Sequence, residues 1–198
     1  SLEHLNTDNV YALLIHNAND LLKRGSDKLI RSLHSIKKQR TVKKIGVSVY
    51  DLDQLNFVLE NFEIDIIQLP FNIFDRRFFN NGMLRRLDKK GIEVHGRSIF
   101  LQGLLLMSRE ERPKIFNKWD TLWKKWECWL NDNNLTPLDA AVRYAISITE
   151  IKKILVGVDS VNQLQQILRT SKGILPEIPN DMFTDDPALL NPSMWELS

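Results

Sequence analysis

Residues 44–77, KIGVSVYDLDQLNFVLENFEIDIIQLPFNIFDRR, constrain the fold of this chain more tightly than any other stretch. Two short runs, residues 45–47 and 64–67, apolar but for Asp65, read as strands buried on both faces. Between them, residues 52–62 read as a helix, opened by Asp51 with Gln54 three places on, the spacing of a capping box. Strand, helix and strand make a βαβ unit, whose crossover sets both strands parallel in one sheet. Ser48 and Gln68 follow the two strands. Both therefore fall on the carboxyl edge of the sheet, where α/β folds place their chemistry.

The same grammar recurs. Residues 10–15 are an apolar run that stops at His16, and residues 92–94 run into His95, Gly96, Arg97 and Ser98. Residues 154–156 run into Gly157, Val158, Asp159 and Ser160. Five strands that each deliver polar groups or glycine to one rim follow the plan of a (β/α)8 barrel. A doubly wound open sheet has a similar rhythm and is the structural alternative. The remaining stretches supply helices. One starts at Ser26 with Leu29, Leu33 and Ile36 at helical spacing, and a short one over residues 83–90 is stopped by Gly91. In the tryptophan-rich stretch 109–131, Trp119, Leu122, Trp126 and Trp129 share one helical face, which fits a helix packed on the barrel exterior. Thr136, Pro137 and Asp139 open another helix as cap, first residue and acid. Residues 160–170 form the last. Residues 176–198 are broken by prolines and are expected across the surface of a single domain spanning 1–198.

Bulk properties narrow the class. A chain of 198 residues can bury one core, yet it is shorter than the roughly 250 residues of a complete barrel. A net charge of +2 points to neither nucleic acid nor an anionic membrane as partner. Cys128 is the lone cysteine, so no internal disulfide can form and a reducing, cytoplasmic setting is the default. No apolar run approaches 18 residues, and SLEHLNTDN lacks signal-peptide architecture. His16 and His95 have no clustered Cys, Asp or Glu beside them, so no metal site is expected.

The segments GVSVYDLDQL, DIIQLPFNIFDRR, GIEVHGRSIFLQGLL and VGVDSVNQL, in this order and spacing, resemble the aldo-keto reductases, and VYALLIH fits the family's fourth strand. The resemblance implies a TIM (β/α)8 barrel, incomplete here, of which about five parallel strands (four to eight) with their helices are present. It also implies NAD(P)H bound in extended form at the carboxyl rim and reduction of an aldehyde, ketone or sugar-like carbonyl. On this expectation the chain is the carboxyl-terminal portion of a larger barrel, and its bare strand edges hint at a homo-oligomer if the portion folds as it stands.

By the same resemblance, His16 is the histidine that hydrogen-bonds the substrate carbonyl and orients it for hydride attack. A hydrogen-bonded histidine at a strand end is the plain alternative. Ser48 and Gln68 correspond to the pair that holds the nicotinamide carboxamide, although the family's Asn after the Ser is here Val49. Arg97 stands where many members stack an aromatic ring on the nicotinamide, a task a planar guanidinium can share. Ser98 and Gln102 match positions that approach the pyrophosphate. Gly157, Asp159, Ser160 and Gln163 form the last rim element, a helix amino terminus suited to an anion, though Ser160 and Gln163 also read as a plain capping box. Asp159 departs from the Arg or Lys that grips the 2′-phosphate of NADPH, and Ile167 replaces the usual Asn. NADH preference, or a weakened cofactor site, is therefore expected.

The family's Asp, Tyr and Lys of catalysis find no match, because Tyr11, Tyr50 and Tyr144 lie in other contexts. The chain by itself should lack the general acid. Two other readings stay open: a non-catalytic nucleotide sensor or subunit on the same barrel, and an unrelated α/β enzyme built around His16 and His95.

Overall fold

The computed structural model describes residues 2–195. Its five strands are β1 (Val10–Ile15), β2 (Val42–Ser48), β3 (Ile66–Pro70), β4 (Glu93–Arg97) and β5 (Ile151–Ile154). They are parallel and stand in one sheet in the order β1-β2-β3-β4-β5. The helices that matter here are α1 (Ser26–Lys38), α2 (Leu52–Asn61), α3 (Met83–Lys89), α4 (Asp120–Asp132), α5 (Pro137–Ser147) and α6 (Val161–Thr170). A doubly wound sheet reverses its strand order at a switch point. This order runs one way throughout, as in the (β/α)8 barrel.

Contacts divide the described residues into two compact units. One comprises the chain up to Leu69 together with Met83–His95; the other comprises Pro70–Gly82 and the chain from Gly96 on.

In the first unit, β1 and β2 pair in register from Val10↔Val42 to Ile15↔Val47, and β2 and β3 from Gly46↔Ile66 to Ser48↔Gln68. Ile45, Val47, Ile66 and Ile67 are fully buried, as expected of a strand covered on both faces. Gly46 is required there, because a Cβ would lie 2.5 Å from the carbonyl oxygen of Ile66. Asp51 caps α2 by accepting from the backbone N–H of Gln54 at 2.8 Å. The Gln54 side chain reaches Tyr50 N–H at 2.8 Å, one residue before the cap, and not the cap itself. Asp65 precedes β3 as a tie: it accepts from Lys37 at 2.6 Å and from the N–H of Ile45 at 2.9 Å.

The second unit has an aromatic core. Phe74 packs on Trp123 and Trp126 with ring centroids at 5.0 and 5.8 Å. Helix α4 buries Leu122, Trp123, Trp126, Trp129 and Leu130, a wider face than the four positions read from sequence. Residues 176–195 carry buried Met182, Leu189 and Leu190, and Thr184 N–H donates to Phe74 O at 3.0 Å. A second core cluster of Ile99, Val142 and Ala145 gathers Phe100, Leu138, Ile154, Val156 and Ile167 around it.

Strand β5 forms at Ile151–Ile154, earlier than the apolar run 154–156 suggested. Lys152 and Lys153 are exposed within it, so the strand lacks the buried-run signature. Strands β3 and β4 likewise run further than their apolar runs, through Pro70 and through Arg97.

Candidate functional site

Strand β4 hands the chain to a loop whose backbone is unusual. Ser98, Leu101, Gln102 and Gly103 have φ of 60°, 47°, 55° and 86°. A left-handed conformation costs a side-chain-bearing residue roughly 1–2 kcal/mol, so three in one loop need support. Complete burial of Leu101 supplies part of it. Leu101 N–H donates to Ser98 O at 2.9 Å, Leu104 N–H to Leu101 O at 3.0 Å, and Leu105 N–H to Phe100 O at 3.2 Å. The result is a loop doubled back on itself by its own backbone hydrogen bonds.

This loop forms one wall of a cavity of about 870 Å³ in the second unit. Thr136, Pro137 and Leu138 form another wall at the amino end of α5. Here Thr136 Oγ1 accepts from Asp139 N–H at 3.1 Å, and the Asp139 carboxylate accepts from Thr136 N–H at 3.2 Å, a reciprocal capping box. The remaining wall is Leu155, Val156, Gly157 and Asp159, continued by Gln163, Gln166 and Ile167 of α6. Ser160 caps α6 by accepting from Gln163 N–H at 3.2 Å, and Gln163 Oε1 accepts from Asp159 N–H at 2.7 Å. The Gln163 side chain thus braces the residue before the cap, as Gln54 does in α2.

Six residues singled out from sequence line this one cavity: Arg97, Ser98, Gln102, Gly157, Asp159 and Gln163. Ser160 is absent from the lining and serves as the α6 cap. Arg97 and Asp159 are the charged residues of the lining, and Arg97 Nη1 donates to Ser98 Oγ at 3.3 Å. An apolar panel of Phe100, Leu106, Leu138, Leu155, Val156 and Ile167 completes it. A cavity of this size, mostly apolar with a few placed polar groups and a helix amino terminus beside it, suits an elongated ligand with a ring and an anionic portion. Thr136–Leu138 escaped the sequence reading as site residues. Their cap motif announced a helix start, and in a barrel helix starts face the carboxyl rim, so the signal was present.

The other three predicted residues belong to the first unit. His16 is exposed in the position just after β1. Ser48 is 4% exposed and stands opposite Gln68 in register, while Val49 N–H donates to Gln68 O at 2.8 Å. His95 lies inside β4 and shares the Glu93 carboxylate, 2.7 Å from its Nε2. Tyr11 donates to the same carboxylate at 2.5 Å, and Lys44 pairs with it. Burial alone would raise the Glu93 pKa, but donation by Lys44, Tyr11 and His95 prevails and holds it down at about 2. In the second unit Tyr144 is a core ring. It stacks on Phe71 at 5.0 Å, its hydroxyl makes no hydrogen bond, and burial pushes its pKa up. A phenol so placed is no proton donor to a ligand.

Among the described residues no group of three His, Cys, Asp or Glu could hold a metal ion, and no helix is long and apolar enough to cross a membrane.

The profile of the Aldo/keto reductase family matches residues 1–179. Among solved structures, the aldo-keto reductase AKR11C1 from Bacillus halodurans aligns with a TM-score of 0.69 at 17% identity, covering 89% of this chain and 60% of that one. Glycerol dehydrogenase AKR11B4 from Gluconobacter oxydans gives 0.67 at 20% identity, covering 89% and 57%. The thermostable aldo-keto reductase Tm1743, solved with the inhibitor epalrestat, gives 0.65 at 20% identity, covering 89% and 59%. This chain thus spans about three fifths of the length of these structures. No curated protein matches it.

Proposed function

Because this chain belongs to the Aldo/keto reductase family, we propose that its cavity is the seat of a nicotinamide dinucleotide in an oxidoreductase that reduces an aldehyde, ketone or sugar-like carbonyl. The observation that carries the proposal is the meeting of Arg97, Ser98, Gln102, Gly157, Asp159 and Gln163, from three segments far apart in sequence, around one cavity. The dinucleotide would supply the hydride. In this reading Ser98 and Gln102 with the doubled-back loop hold the pyrophosphate, helped by the amino terminus of α6. Asp159 hydrogen-bonds the adenosine ribose, and the apolar panel accepts the adenine ring. Arg97 stacks its guanidinium on the nicotinamide. By family resemblance alone, the roles of orienting the carboxamide and of donating a hydrogen bond to the substrate carbonyl fall to Ser48 with Gln68 and to His16.

Asp159 decides the cofactor in this proposal. A carboxylate at the cavity wall repels a 2′-phosphate and accepts from a free 2′-hydroxyl, so NADH is preferred over NADPH. Titration of the chain with each dinucleotide, followed by quenching of tryptophan fluorescence, is expected to give at least tenfold tighter binding of NADH. NADPH binding tenfold more tightly than NADH would reject the assignment.

None of the family's Asp, Tyr and Lys finds a match in residues 1–198, and two of the tyrosines are otherwise engaged, Tyr11 on Glu93 and Tyr144 in the core. Binding without turnover by this polypeptide alone follows. The buried, apolar Val49, where the family expects an amide, favours a second reading, a nucleotide-binding sensor or subunit on the same barrel. Dinucleotide binding by a longer protein that lacks any reductase activity would support that reading over the enzyme.

A further inference from the structure

Helix α6 supplies one wall of the cavity yet buries none of its residues fully. Its Ile167 packs against the core cluster of Ile99, Val142 and Ala145. A polar anchor for the helix is Arg143 on α5. Its Nε donates to Thr170 O at 3.1 Å, its Nη1 to Ile174 O at 3.1 Å, and its Nη2 to Asp139 Oδ1 at 2.6 Å. The first satisfies the last carbonyl of α6, where the positive charge also opposes the negative end of the helix dipole, and the second holds the segment that follows the helix. The third reaches the carboxylate that closes the capping box with Thr136. Gly173 makes the arrangement possible, because a Cβ there would lie 1.9 Å from the Arg143 Cζ.

One guanidinium therefore links two walls of the cavity: Thr136–Leu138 through Asp139, and α6 through Thr170. We infer that Arg143 is a positioning residue for the cavity. It acts from the carboxyl end of α6, about 5 Å along the axis from the wall residue Ile167 by the rise of three helical residues, and is not itself among the lining residues. The inference rests on the cavity holding the dinucleotide, and it deepens that reading by naming what keeps two of its walls in register.

A double-mutant cycle tests it. Arg143→Gln removes the fork. Gly173→Ala leaves the charge in place but drives a methyl group into the guanidinium. With NADH as the probe, each single variant is expected to weaken binding about fivefold, the scale of one or two lost hydrogen bonds. The double variant is expected to bind no worse than the weaker single one, since both changes break the same link. Hydrogen exchange of the unliganded chain gives a second readout that needs no ligand: both variants should speed exchange over residues 161–170 selectively. Additive losses in the cycle, or unchanged exchange across α6 in both variants, would overturn the inference. Failure of the unaltered chain to bind NADH would reject the cofactor assignment instead, and the exchange experiment would still decide the role of Arg143.

Discussion

Glu93 shows how much one side chain can gather. Its carboxylate takes donors from β1, β2 and β4 through Tyr11, Lys44 and His95. Its pKa in the fold, about 2, lies below the ordinary 4.5. The linked stability is therefore fully present above pH 4.5 and is lost as the pH falls toward 2. Replacement by Gln removes that dependence. Urea unfolding between pH 2 and 6 is expected to show the parent chain losing on the order of 2 kcal/mol across the acid limb relative to Glu93→Gln. Parallel curves for the two proteins would show that the three donors confer no net stabilisation. At this scale the sequence was partly legible. Asp159 and Arg97 stood out as charged residues at strand ends, and both line the cavity. The triple role of Glu93 could not be read, because it joins residues 82 and 49 positions apart in sequence.

At the scale of elements, close approach and capping decide the local folds. Gly46 sits where any Cβ would meet the β3 backbone, so Gly46→Ala should push the two strands apart. A loss of about 1–3 kcal/mol is expected in denaturant unfolding, the usual cost of overpacking; a neutral effect would mean the pairing of β2 and β3 yields easily. Thr136→Ala removes one half of the α5 capping box and should cost about 1 kcal/mol, with a matching loss of dinucleotide affinity because Thr136 lines the cavity. Stability lost without affinity would leave the cap a structural feature only. Helix caps at Asp51, Thr136 and Ser160 appear in the structure at the residues expected, while Gln54 and Gln163 brace the residue before the cap instead of closing the expected box. Strand limits did worse. Lys152 and Lys153 are exposed in β5, and His95 and Arg97 lie within β4, so reading strands as apolar runs misses strands that carry polar side chains. The left-handed turns at Leu101 and Gln102 also gave no signal, since neither residue type favours that conformation.

For the whole molecule, strand order does what no single motif could. The unidirectional order β1-β2-β3-β4-β5 separates the barrel plan from the doubly wound alternative, and the family profile over residues 1–179 agrees with it. The solved relatives establish the fold, while the ligand assignment stands on the cavity. The most direct test of that assignment is hydrogen exchange of this chain with and without ADP-ribose, which carries the ribose diol and pyrophosphate but no nicotinamide. The account predicts slowed exchange in residues 97–106, 136–138 and 155–167 together, saturating along one binding curve. Binding that leaves these three segments unchanged, or no binding at millimolar ADP-ribose, would contradict it.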